Sequence, residues 1–184
     1  VQGYARAASL IFGVMMLLLS VAVTVETLVR KLFSVSLGGV DELSGYAIAV
    51  GAPLAFAVAL IDRAHIRINL LYQGLGLRAR AALDAAAVIA LAALAVFLAI
   101  FSVRTVLETQ AYQSIAQTPW ATPLIYPQAV WLAAMFAFVV PALALLWQLM
   151  RLLAQGRWRE VTPALGPETV EDELRAELED LKRR

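Results

Sequence analysis

The sequence predicts an all-α integral membrane protein. It should hold four transmembrane helices, a short interfacial amphipathic helix between helices 2 and 3, and a charged cytoplasmic C-terminal helix. Three observations predict this. The chain of 184 residues is 61% hydrophobic and 16% charged, with a mean hydropathy of +0.76, whereas a soluble domain carries about 25% charged residues. Four long stretches contain no charged residue at all. Lys and Arg are distributed unequally between the segments that join those stretches.

The first stretch, Ala7–Val25, runs for 19 residues without a charge. It is too long for the apolar region of a signal peptide, and no small-residue cleavage site precedes Arg30-Lys31, so it reads as a retained helix. Leu43–Ile61 and Ala85–Val103 are of the same length, and the fourth stretch is Gln128–Met150. Nineteen residues of helix reach roughly 28 Å, close to the hydrocarbon thickness of a bilayer. Lipid offers no partner to a backbone N–H or C=O, so each stretch should be helical. A soluble bundle would show polar stripes, yet Leu91–Ile100 carries no polar side chain. The predicted division is a transmembrane domain over 1–150, with spans near 7–29, 43–61, 81–103 and 128–150, and a cytoplasmic charged tail over 151–184.

Twelve of the 15 Lys and Arg residues fall in the N-terminal stub, the second connection and the C-terminal tail. By the positive-inside rule both termini should be cytoplasmic, and the first and third connections should face the periplasm. Tyr112, Trp120, Tyr126 and Trp131 then lie near the outer boundary, and Tyr72, Trp147 and Trp158 near the inner one. Such rings favour a membrane interface because an apolar body carries a polar tip.

The second connection holds His65–Gln73, with Ile66, Leu70 and Gln73 at roughly helical spacing. It reads as the short interfacial helix, ended by Gly74 and Gly76, with Arg63, His65, Arg67 and Asn69 as its cytoplasmic anchor. The third connection contains Thr118-Pro-Trp-Ala-Thr-Pro-Leu-Ile-Tyr-Pro127. Its prolines forbid a continuous helix, so a stiff, apolar, extended elbow is expected there. After Pro167, Glu168–Arg184 reads as a charged helix, acidic early and basic late, with a narrow stripe of Val170, Leu174, Leu178 and Leu181.

Cysteine is absent and His65 is the one histidine, which excludes disulfides, thiolate chemistry and His-rich metal sites. A net charge of +1 with no basic face gives no sign of nucleic-acid binding. No phosphate-binding loop, nucleophile elbow or metalloprotease motif occurs, so no catalytic residue, cofactor or metal is assigned and the chain does not read as an enzyme. A membrane carboxylate is a functional candidate by default. Glu26, however, stands four residues before Arg30, and an ion pair at the helix end is the favoured reading. Asp41 and Glu42 open helix 2, where the helix dipole favours acidic residues. Asp84 follows Arg80 by four and should pair with it. Gly45 and Gly51 permit close helix packing. The membrane interior therefore holds almost no polar side chain, and a carrier of polar solutes would need several there.

These residues resemble a known family, the small membrane subunit (Q-type) of tripartite ATP-independent periplasmic (TRAP) transporters. The resemblance runs from about Ser9 to Leu149. It rests on Arg30 and Phe33, Asp41-Glu42-Leu43, Gly51-Ala52, His65-Ile-Arg-Ile-Asn-Leu70, Thr118-Pro119 and Pro123-Leu-Ile-Tyr-Pro127, in that order. Asn69 stands where the family often has an acidic residue. The resemblance implies a binding-protein-dependent secondary transporter of the bacterial inner membrane, usually sodium-driven, taking up organic acids or similar solutes. A periplasmic substrate-binding protein would capture the solute and a large multi-helix membrane subunit would carry it, with this chain as scaffold. Asp41, Glu42, Thr118, Pro119, Trp120, Pro123 and Pro127 would then face the binding protein. Two other readings are a self-sufficient four-helix exporter acting as a dimer, which needs a mid-membrane carboxylate, and a purely structural anchor.

Overall fold

The computed structural model describes residues 2–62, 74–166 and 178. It is helical. Helix α1 spans Gln2–Phe33, α2 Val40–Ile61, α3 Leu77–Tyr112 and α4 Ile125–Ala154. A 3-10 turn, Trp158–Glu160, and the short C-terminal helix α5, Val161–Leu165, follow. All four long helices are long and apolar enough to cross a membrane. The expected interfacial helix with Arg63, His65, Arg67 and Asn69 lies outside the described residues. So does the expected tail helix, apart from Leu178, which is helical and exposed.

The helices run past the charge-free stretches because charge does not end a helix; backbone conformation does. α1 continues through Glu26, Arg30 and Lys31 and stops where Ser34 turns to a positive φ of 54°. α3 begins after Gly76, which is extended, and stops at Gln113, left-handed at φ 50°. There Gln113 Nε2 also donates to the Gln110 carbonyl at 2.7 Å. At 36 residues α3 is about 54 Å long. It therefore projects well beyond a hydrocarbon layer of about 30 Å.

The long helices pack in the order α1–α2–α4–α3. Small side chains set that packing. Ala57 and Leu60 of α2 meet Phe138 and Ala142 of α4, and Ala95 and Ala99 of α3 complete the cluster. Lipid tails are as apolar as these side chains, so association rests on close packing, which alanine allows. Gly51 of α2 serves α1 in the same way. A Cβ there would come within 2.8 Å of the Phe12 ring and 3.1 Å of the Met15 methyl. At the end that holds the start of α3 and the C-terminal end of α4, Val161 and Leu165 of α5 fold back on Ala81 and Val88 of α3 and Leu149 of α4.

Two prolines lie inside helices, Pro53 in α2 and Pro141 in α4. Each lacks an N–H, so the carbonyl four residues earlier loses its helical donor. In lipid a neighbouring helix can supply a replacement. For Pro141 the freed carbonyl is that of Ala137, and the Tyr4 hydroxyl of α1 donates to it. With Ala8, which packs beside Leu54 and Ala134, this contact ties α1 to α4. Otherwise α1 packs on α2 from one side, so only 6% of its apolar window is buried, against 33% for α2.

Gly51→Val should separate α1 from α2 and lower stability by about 1–3 kcal/mol, the usual cost of overpacking. Tyr4→Phe should lose only about 0.6 kcal/mol, the mean worth of an interhelical hydrogen bond in a membrane. Unfolding midpoints of the purified variants in one detergent check the ranking, and a larger loss for Tyr4→Phe contradicts it.

Candidate functional site

The polar groups of the described residues gather at the ends of the helices. At the end that holds the α1–α2 and α3–α4 connections, here the loop end, two carboxylates organise them. Glu26 lies in the last turns of α1 and is nearly buried. Its Oε1 accepts from Arg30 Nη2 at 2.7 Å and from the Ser36 hydroxyl at 2.7 Å. Its Oε2 accepts the Leu37 N–H at 2.8 Å. Ser36 Oγ in turn accepts the Gly38 N–H at 3.1 Å. Glu26 and Arg30 therefore form an i,i+4 ion pair, and the same carboxylate also binds the α1–α2 connection to the helix. The spacing of Glu26 and Arg30 indicates the pair; nothing in the sequence indicates the part played by Ser36 and Leu37.

Glu42 lies in the first turn of α2 and is turned inward, 8% exposed. Its Oε1 accepts the Tyr46 hydroxyl at 2.6 Å, one helical turn on. Its Oε2 accepts the Thr118 hydroxyl from the α3–α4 connection, and Thr122 donates as well. Two glycines complete the closure. Gly38, at φ +74°, lies under Pro119. The Trp120 indole rests on Gly39 where a Cβ would otherwise stand. The connections thus form one clasp: Glu42 grips from α2, and Trp120 covers the glycine pair.

The α3–α4 connection is not the extended elbow that its prolines suggest. Ala116 N–H donates to Thr122 O at 2.8 Å and Leu124 N–H to Ser114 O at 3.0 Å, with Ile115 bridged to Pro123. Ala121 N–H closes a turn on Thr118 O at 2.9 Å. The segment doubles back as a small hairpin because its non-proline residues still find backbone partners between the prolines. Pro127 lies in the first turn of α4, where a missing N–H costs no helical bond.

The seven residues expected to face a binding protein thus divide. Glu42 is consumed within the clasp. Asp41, Pro119, Trp120 and Pro123 are exposed, and Thr118 and Pro127 half-buried. Tyr112 and Tyr126, 80% and 69% exposed, stand at the nearby ends of α3 and α4.

Chemically the clasp is a fastener. Its carboxylates are saturated with donors, and no group of three or more His, Asp or Glu able to hold a metal occurs among the described residues. Within the spans, hydroxyls turn back on their own helices. Ser102 donates to Leu98 O at 2.8 Å, Thr105 to Phe101 O at 2.9 Å and Thr24 to Ser20 O at 2.8 Å. Among the described residues, no row of polar side chains crosses the hydrocarbon depth.

Residues 15–152 match the family described as tripartite ATP-independent periplasmic transporters, DctQ component. The chain belongs to that family. The match begins inside α1 and ends in the last turn of α4, so it takes in all four long helices. This DctQ component is therefore a membrane subunit of a transporter with further components, and not an enzyme. The resemblance read from its motifs is borne out. No curated protein and no solved structure matches the chain.

Gly39→Val should push the Trp120 indole off its seat at a cost of about 1–3 kcal/mol. Glu42→Ala should release Thr118 and Thr122 from the other side. Either change should speed protease cleavage within residues 114–124 several-fold while helix content holds. Cleavage at the unaltered rate in both variants contradicts the clasp.

Proposed function

We propose that this DctQ chain is the scaffold subunit of its transporter. It enlarges the fixed frame of a large multi-helix carrier subunit and carries no solute itself. The observation behind this reading is the contrast between spans whose central stretches carry no charged side chain and the broad apolar faces of α1 and α3, where Leu17, Leu18, Leu94 and Phe97 are at least half exposed. A charge or polar pair near the bilayer centre marks a solute path, and the described helices have none there. The bare sides suit lipid and a larger helical partner.

The exporter reading needs a free carboxylate in the membrane. Glu26, the nearest candidate, has both oxygens engaged by Arg30, Ser36 and Leu37, which favours the scaffold. The charge asymmetry supports an inner-membrane placement with both termini cytoplasmic. The loop end then faces the periplasm and offers Asp41, Pro119, Trp120 and Pro123 to a substrate-binding protein. Organic acids or similar small solutes, moved with sodium, are the class of cargo we assign to the assembled transporter on family grounds.

Co-expression with a large TRAP membrane subunit tests the reading. The two should purify as one complex, and uptake should require both together with the binding protein. Asp41→Lys should raise several-fold the concentration of binding protein that gives half-maximal uptake, with the membrane complex intact. Glu42 and Trp120 are unsuitable for that test because the loss of either opens the clasp. Uptake at the normal binding-protein concentration contradicts the docking face, and failure to purify together contradicts the scaffold.

A further inference from the structure

At the end opposite the clasp, two recesses on α4 adjoin. The deeper one, of about 460 Å³, lies between Tyr4 of α1, Leu60 and Ile61 of α2, and Pro141, Leu145 and Gln148 of α4. Its size falls within the range of about 300–1,000 Å³ usual for ligand clefts. Its wall is almost entirely hydrocarbon, with the Tyr4 and Gln148 side chains as the polar exceptions. The recess exists because α1 meets α4 only around Tyr4 and Ala8, and because Ala144, also on its wall, is too small to fill the gap. The second recess, of about 350 Å³, is lined by Trp147, Gln148, Arg151, Gln155 and Arg157. Gln148 lines both, so the apolar groove and the cationic recess meet at one side chain.

The two recesses stand at successive depths. The groove runs from Val140 to Gln148 along α4, about 12 Å of helix. Arg151 follows one turn later, at the first charge after the apolar run. Trp147, 67% exposed, marks the interface between them. The two arginines differ. Arg157 donates to Glu160, with Nε to Oε1 at 2.8 Å, and to Gln155 at 3.2 Å. Arg151 has no carboxylate partner among the described residues. The C-terminal end of α4 carries about half a negative charge, which the Arg151 guanidinium more than offsets. A guanidinium presents donors in a fork that matches phosphate.

We propose that this site binds one anionic phospholipid, with an acyl chain in the groove and the headgroup phosphate on Arg151. The lipid fills the wedge between α1 and α4 and holds α1 at its angle to the other helices. A soluble anion would use Arg151 and leave the groove empty; a neutral lipid would use the groove and leave the charge unanswered. The combination selects a molecule with both parts.

The test uses the purified full-length chain in a non-ionic detergent with equal amounts of phosphatidylglycerol and phosphatidylcholine, and counts retained lipid by native mass spectrometry. No other subunit is present, so the result is independent of the scaffold role. One phosphatidylglycerol per chain should be retained, in about fivefold preference, the effect of one arginine near an anionic headgroup. Arg151→Gln should bring the preference close to parity. Ala144→Trp should fill the groove and lower retention of both lipids. Arg104→Gln, at the loop end, should leave the preference unchanged. Glycerol phosphate at the same concentration should not displace the lipid. An undiminished preference in Arg151→Gln overturns the proposal, as does displacement by glycerol phosphate. Because Arg151 is exposed, that variant decides the matter even where Ala144→Trp fails to fold.

Discussion

Hydrocarbon accepts and donates no hydrogen bonds, and that single fact shapes this molecule. Each backbone group in the spans must be paired inside its own segment, so the spans are four long helices. Hydroxyls that enter the layer bind back to carbonyls of their own helix, as Ser102 does. The exception makes the same point. Pro141 withdraws an N–H from α4, and a tyrosine from another helix donates to the carbonyl left behind. At Pro141 the compensating group comes from outside the helix.

The same constraint drives charge to the helix ends. At the loop end it is put to structural use. Glu26 and Glu42 do not face solvent as isolated ions. Each collects several donors, one set from the adjoining connection and the other from a connection 76 residues away. Two glycines let proline and tryptophan side chains settle against the backbone. The result is a firm platform built from connections, on which Asp41 and Trp120 remain outward. A platform of this kind suits a subunit whose part is to hold position while another moves.

Much of this was legible in the sequence, for a reason that can be stated. Four uninterrupted apolar runs leave lipid as the one fitting solvent, and a run of about 19 residues matches the layer it must cross. Ordered short motifs also placed the chain in its family. The arrangement of the helices was not legible. The runs are apolar on every side, so no stripe tells α1 that α2, and not α3, is its neighbour. The role of Glu42 in holding the α3–α4 connection was hidden because Thr118 is remote in sequence. The prolines of the α3–α4 connection suggested an extended strap, but proline governs its own φ and leaves Ala116 and Leu124 free to close a hairpin. Nothing in the sequence marks Tyr4, because its partner is a carbonyl 133 residues away, freed by Pro141.

In the proposed role these helices frame a transport path without containing one. The purified chain alone, reconstituted in liposomes under an ion gradient, should take up organic acids no faster than empty liposomes do. Accumulation should appear once the large subunit and the binding protein are added. Accumulation by this chain alone would contradict that role.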